Sequence, residues 1–161
     1  LPPIAQLDGA TLLVAGGFGV MQALAGGQLA AWLLTSVWPL VASDLPDGLV
    51  RNALSISGLH DLEPVMHAPF LQQSLHLTEQ HVQDASPARL QAPAQGLLYS
   101  VAGADESEEF ARQARLIQDA WGTHVVPRCQ ILPGLNHFSI LDALTKPGHD
   151  LHHMALNLLR A

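Results

Sequence analysis

At 161 residues, with 48% hydrophobic and 13% charged, the chain has enough apolar side chains for one sizeable core and too few charges for disorder. Its net charge is −7 and its seven basic residues stand singly, so no Lys/Arg cluster exists to neutralise nucleic-acid phosphates or an anionic membrane surface. The single cysteine, Cys129, rules out an internal disulfide and, lying in a strand pattern, predicts a buried, inert thiol suited to a cytoplasmic setting.

Leu1-Pro2-Pro3-Ile4 lacks an initiator Met and a basic n-region followed by an apolar core; no signal peptide is expected, and the sequence reads like a chain entered part-way. Thr11 to Ala15 is a short apolar run ended by Gly16-Gly17, as in a central parallel strand. Ala23 to Trp38 is apolar almost throughout. It falls short of the roughly 20 residues of a membrane span, is broken by Gly26-Gly27 and Gln28, and ends near Pro39, which predicts a buried helix.

Asp44 to Gly48 is a surface turn, and Val50 to Ser57 a second strand closed by Gly58. Leu59 to Pro93 holds short pieces rich in Pro and His. Within it Thr78 predicts the cap of a brief helix over Glu79 to Ala85, stopped by Ser86-Pro87. Gly96 to Val101 is a third strand. Ser107 is expected to cap an amphipathic helix in which Phe110, Ala114, Ile117 and Trp121 recur at helical spacing.

A β-branched run from Val125-Val126 to Ile131-Leu132 is the fourth strand, stopped by Pro133-Gly134. Ser139, expected to cap, opens a further helical pattern, and Asp150 to Leu159 closes the chain as a helix. This alternation predicts one α/β domain over 1–161, a mostly parallel sheet with helices on both faces. A four-stranded sheet would leave the edge beside the first strand open, or covered by a partner chain in a homo-oligomer.

His137 lies just past the carboxyl end of the fourth strand, where active sites of α/β chains gather. Asp105 and Glu106 lie just past the third. Neighbouring parallel strands run about 4.8 Å apart, so an acid there can reach and orient the imidazole of a general base. His149, His152 and His153 could share a helix face, but a zinc site needs further ligands that the sequence does not fix. A surface cluster is expected, and neither metal nor cofactor.

Ser57-Gly58-Leu59-His60-Asp61-Leu62-Glu63-Pro64, Ser86-Pro87, Glu106 to Gln113 and Asn136-His137-Phe138 resemble, in order and spacing, the arylformamidases (kynurenine formamidases) of the α/β-hydrolase family. The resemblance runs from about Ala25 to the C-terminus and implies the C-terminal part of that fold, with a partial sheet. It also implies hydrolysis of a small-molecule ester or amide such as an aryl formamide, with His137 as base and Glu106, or else Asp105, as its acid. His60-Asp61 resembles a position of structural type, and a helix-start aspartate accounts for it.

The family's Gly-His-Ser-Ala-Gly-Gly elbow is not here. Ala25-Gly26-Gly27 matches the residues after the serine, but Leu24 stands in the serine's place and Ala23 in the histidine's. Leucine has no nucleophilic atom. Val14 to Gly16 reads either as the strand into a displaced elbow, or Gly16-Gly17-Phe18-Gly19 reads as an oxyanion loop. The backbone amides of Gly16, Gly17 and Ala25 are the candidate oxyanion donors. Ser57 and Ser139 are poor substitutes for the missing serine, since neither sits on an elbow. The alternative is a catalytically inactive relative kept as a binding or subunit-interface module.

Overall fold

The structure, a computed structural model, describes residues 12–14 and 20–161, with side chains from residue 26 onward. Four strands, β1 (Leu12–Val14), β2 (Asn52–Ile56), β3 (Leu97–Gly103) and β4 (Arg128–Leu132), form one sheet in the order β1-β2-β3-β4. Every pairing is parallel, with Leu54 level with Tyr99 and Ala102 level with Ile131. The expected α/β architecture is the one that forms.

Parallel pairing requires crossovers, and the helices supply them. α1 (Val20–Leu34) joins β1 to β2, and α6 (Glu108–Trp121) joins β3 to β4. Both lie on one face, where Ala30, Ala31 and Leu34 of α1 and Ile117 and Trp121 of α6 close over Ala53 and Leu98. The other face carries α7 (Ser139–Thr145) and α8 (Asp150–Arg160), whose Ile140, Leu151 and Leu158 cover Leu54, Ile56 and Val101. Successive residues of β2 thus point to opposite layers, and all five are buried.

α1 starts three residues earlier and ends four earlier than the apolar run predicts, because uniform apolarity gives no periodicity from which to fix an end. Its 15 residues reach about 22 Å, and among the described residues no helix is long and apolar enough to cross a membrane. Of the two glycines that interrupt it, Gly27 has a packing reason. A Cβ on Gly27 would lie 2.5 Å from the Gly58 Cα and 2.7 Å from the Ser55 Oγ, so the helix meets the end of β2 at backbone contact.

The rest of the chain ahead of β3 runs in short pieces. α2 (Trp38–Val41) precedes β2, while α3 (Glu63–Met66), α4 (Pro69–Leu75) and α5 (Glu79–Ala85) come after it, then a 3-10 turn at Pro87–Arg89. α2, α3 and α4 each begin with proline in the first turn, where its missing N–H costs nothing. α5 has the predicted bounds: Thr78 Oγ1 accepts from His81 N, and His81 Nδ1 accepts from Thr78 N, a capping box. Leu59, Leu62, Val65 and Val82 make a small third core against Phe110.

Candidate functional site

The site lies at the carboxyl ends of β2, β3 and β4, and it depends on how close two of the connections approach. Gly103 ends β3, and a Cβ there would stand 2.0 Å from the Leu135 carbonyl oxygen. Only glycine lets the 133–137 loop lie against the strand end. Asp105 N then donates to Leu135 O at 3.0 Å, and Ala104 N donates to Leu132 O at 2.8 Å. These bonds fix the loop that carries His137.

His137 Nδ1 stands 2.6 Å from Glu106 Oε2, and the Glu106 side chain is only 1% exposed. The other carboxylate oxygen, Oε1, accepts from Gly103 N at 2.6 Å and from Ser57 Oγ at 2.6 Å. Glu106 is therefore bonded from three sides, one group from each of the three adjoining strand ends. A carboxylate on Nδ1 fixes the tautomer, leaving Nε2 free to accept a proton. Nε2 is buried and has no partner among the described residues. Phe110 lies over the imidazole with ring centroids 5.0 Å apart.

Of the two acids expected here, Asp105 is exposed and contributes its backbone to the loop, while Glu106 turns inward. The candidate oxyanion donors Gly16 and Gly17 lie outside the described residues. Ala25 is the sixth residue of α1, past the four amides a helix leaves free, so its N–H is used within the helix and cannot serve as an oxyanion donor. Leu24 too is inside α1 and not at a strand-to-helix turn.

Ser139 does not cap α7. Asn136 does, its Oδ1 accepting from Phe138 N and Ser139 N at 3.0 Å each. Ser107 sits at the start of α6 without a side-chain cap bond. Cys129 is half-buried, its Sγ 3.3 Å from Ala114 O, and burial pushes the thiol up, away from reactivity. The C-terminal histidines have separate tasks: His149 Nδ1 accepts from Leu151 N to cap α8, and His152 Nδ1 lies 2.9 Å from Leu144 O. Among the described residues no group of three or more His, Cys, Asp or Glu could hold a metal ion.

Two buried residues lie behind the site; Gln113 went unrecognised in the sequence, while His60 has the structural role expected of it. Gln113 is fully buried on the apolar face of α6, and all its capacity is used. Oε1 accepts from His60 N and Asp61 N at 2.7 and 2.8 Å, and Nε2 donates to Asp61 O and Glu109 Oε1 at 2.9 and 2.7 Å. His60 is also fully buried, with Nε2 3.2 Å from Ser55 Oγ, and burial alone lowers its pKa to about 3. It is a neutral structural residue. Asp61 Oδ1 accepts from Glu63 N at 3.2 Å and pairs with Arg89 at 2.9 Å, the helix-start role expected of it.

No family model matches the chain, and no curated protein does. Among solved structures it is similar to one from Silicibacter sp. TM1040 described as a "putative thioesterase", with 25% identity and a TM-score of 0.66. That match covers 85% of this chain and 48% of the other, so this chain spans about half the length of the structure it matches. The assignment to the α/β-hydrolase arylformamidases is corrected by these findings. The short motifs that carried it are scattered over strand ends, α3, the 3-10 turn and the start of α6, and such short pieces do not specify one family.

Proposed function

We propose that this protein hydrolyses a small-molecule ester or thioester, with His137 as the general base and Glu106 as the residue that orients it. The observation that supports this is the asymmetry of the imidazole: Nδ1 is tied to a buried carboxylate while Nε2 has no partner among the described residues. In this reading a water molecule is the nucleophile, since Leu24 offers none. Nε2 takes one proton from the water as its oxygen bonds to the acyl carbon. The carbonyl π pair moves onto oxygen, for which the Gly16-Gly17 amides are the candidate donors. When that pair returns, the C–O or C–S bond breaks, and the imidazolium gives its proton to the departing alkoxide or thiolate. Glu106 stabilises the imidazolium between the two transfers. The described thioesterase character of the similar structure favours the same bond class.

The test is hydrolysis of p-nitrophenyl butyrate and of a butyryl thioester by the wild-type chain, His137→Ala and Glu106→Gln. Turnover is expected in the wild type, background rates in His137→Ala, and a loss on the order of 10³ to 10⁴ in Glu106→Gln. Wild-type rates equal to buffer, or full activity in His137→Ala, would overturn the proposal. Leu24 favours one second reading, a non-catalytic binding or interface module on the same scaffold, and a silent wild type would support it.

A further inference from the structure

We propose that Ser57 is a positioning residue for the Glu106–His137 pair, holding one carboxylate oxygen so that the other faces Nδ1. The consequence for turnover rests on the function proposed above; the geometry does not. Ser57 is 2% exposed, and its hydroxyl donates to Glu106 Oε1 at 2.6 Å. A glutamate side chain has three rotatable torsions, and ordering one costs side-chain entropy. Gly103 N, which meets the same oxygen, fixes the distance of Oε1 from the strand end but leaves the carboxylate free to pivot about that oxygen. A second donor from the neighbouring strand removes the pivot.

The backbone of Ser57 supports the assignment independently. Its φ is +51°, in the left-handed region that serine seldom occupies, and only His76 among the other non-glycine residues described has positive φ. His76 ends a surface helix, where that conformation is routine. Ser57 instead ends a fully buried strand, with its N–H still donating to Val101 O at 2.8 Å as the ladder would continue. A glycine would adopt this conformation without strain, and the next residue, Gly58, shows that glycine is available at this turn. Serine at the strained position is what a hydroxyl requirement produces.

Ser57→Ala and Ser57→Gly separate this role from a structural one. The readout is the low-field Nδ1–H proton resonance of His137, assigned by its absence in His137→Ala, together with its exchange rate with water. Both Ser57 variants are expected to move the line upfield and to speed its exchange by about tenfold, the effect of one lost hydrogen bond. Ser57→Gly should melt at a higher temperature than Ser57→Ala, because it relieves the backbone while deleting the hydroxyl. A line that keeps its wild-type position and exchange rate in both variants would overturn the proposal. The measurement needs no turnover, so a failure of the hydrolytic reading leaves it intact. Where the wild type turns over, the variants are expected to lower kcat about tenfold with KM unchanged; an equal change confined to KM would also overturn it.

Discussion

His60 makes the stability of this fold depend on pH in a calculable way. Its ring is fully buried and has one hydrogen-bond partner among the described residues, the neutral Ser55 Oγ. Burial lowers its pKa from 6.5 to about 3. Above pH 6.5 neither the folded nor the unfolded chain charges this ring, and it contributes no pH dependence. As pH falls below 6.5 the unfolded chain binds a proton that the folded chain refuses, so stability falls, by up to about 1.4 kcal/mol per pH unit until pH 3. Between pH 8 and pH 5 the loss is about 2 kcal/mol, a large share of the roughly 5 to 15 kcal/mol typical of a domain. Carboxylates titrate in part of the same window, so the comparison is with His60→Leu, which shares them. Urea unfolding at pH 8, 6 and 5 should give the wild type a steeper decline than the variant by that amount. In the native wild type the His60 Cε1 proton should not titrate down to pH 5. Equal slopes in the two proteins, or a native His60 titrating near 6.5, would refute the reasoning.

Gly103→Ala places a methyl group 2.0 Å from a backbone oxygen of the 133–137 loop, so strand end and loop must part. Destabilisation of about 3 kcal/mol or more by denaturant titration is expected, with loss of the His137 Nδ1–H resonance; a wild-type melt and resonance would count against the close approach. Gln113→Leu leaves the buried N–H groups of His60 and Asp61 without acceptors and should cost about 2 to 5 kcal/mol, while a loss within about 0.5 kcal/mol would show that other partners replace it. Trp121→Phe removes an indole N–H that lies 3.2 Å from Pro87 O at a residue 1% exposed, and should lower stability by about 1 kcal/mol in the same assay. A neutral outcome would assign Trp121 to packing alone.

The scaffold was legible where one residue type performs one local task. Thr78 and Ser86-Pro87 bounded α5, and the spacing of Phe110, Ala114, Ile117 and Trp121 marked α6. The run before Pro133-Gly134 gave the end of β4, although Val125 and Val126 belong to the loop ahead of it, buried beside Trp121. The meeting of His137 with an acid past β3 was legible from the strand order, but which acid makes the contact was not. Asp105 and Glu106 are adjacent and chemically alike, and only the turn after Gly103 sends one to solvent and the other inward. Gln113 did leave a signal, a polar residue among the apolar positions of α6, which is expensive unless every one of its groups is bonded. Pro64 and Pro69, in the first turns of α3 and α4, are a further signal that went unread.

The same distinction accounts for the form of the site. A parallel sheet brings all its strand ends to one edge, so residues distant in sequence meet there without any strand having to bend. Ser57, Glu106 and His137 come from β2, β3 and β4 in spatial order, and each makes its bond from the first few residues past a strand. Short connections hold such groups more rigidly than long loops do, which is what an orienting carboxylate needs. The cost is identifiable: a left-handed serine, a glycine pressed against a carbonyl and a buried His137 nitrogen without a partner among the described residues. That all three fall on one constellation of residues is the physical reason to look for chemistry there.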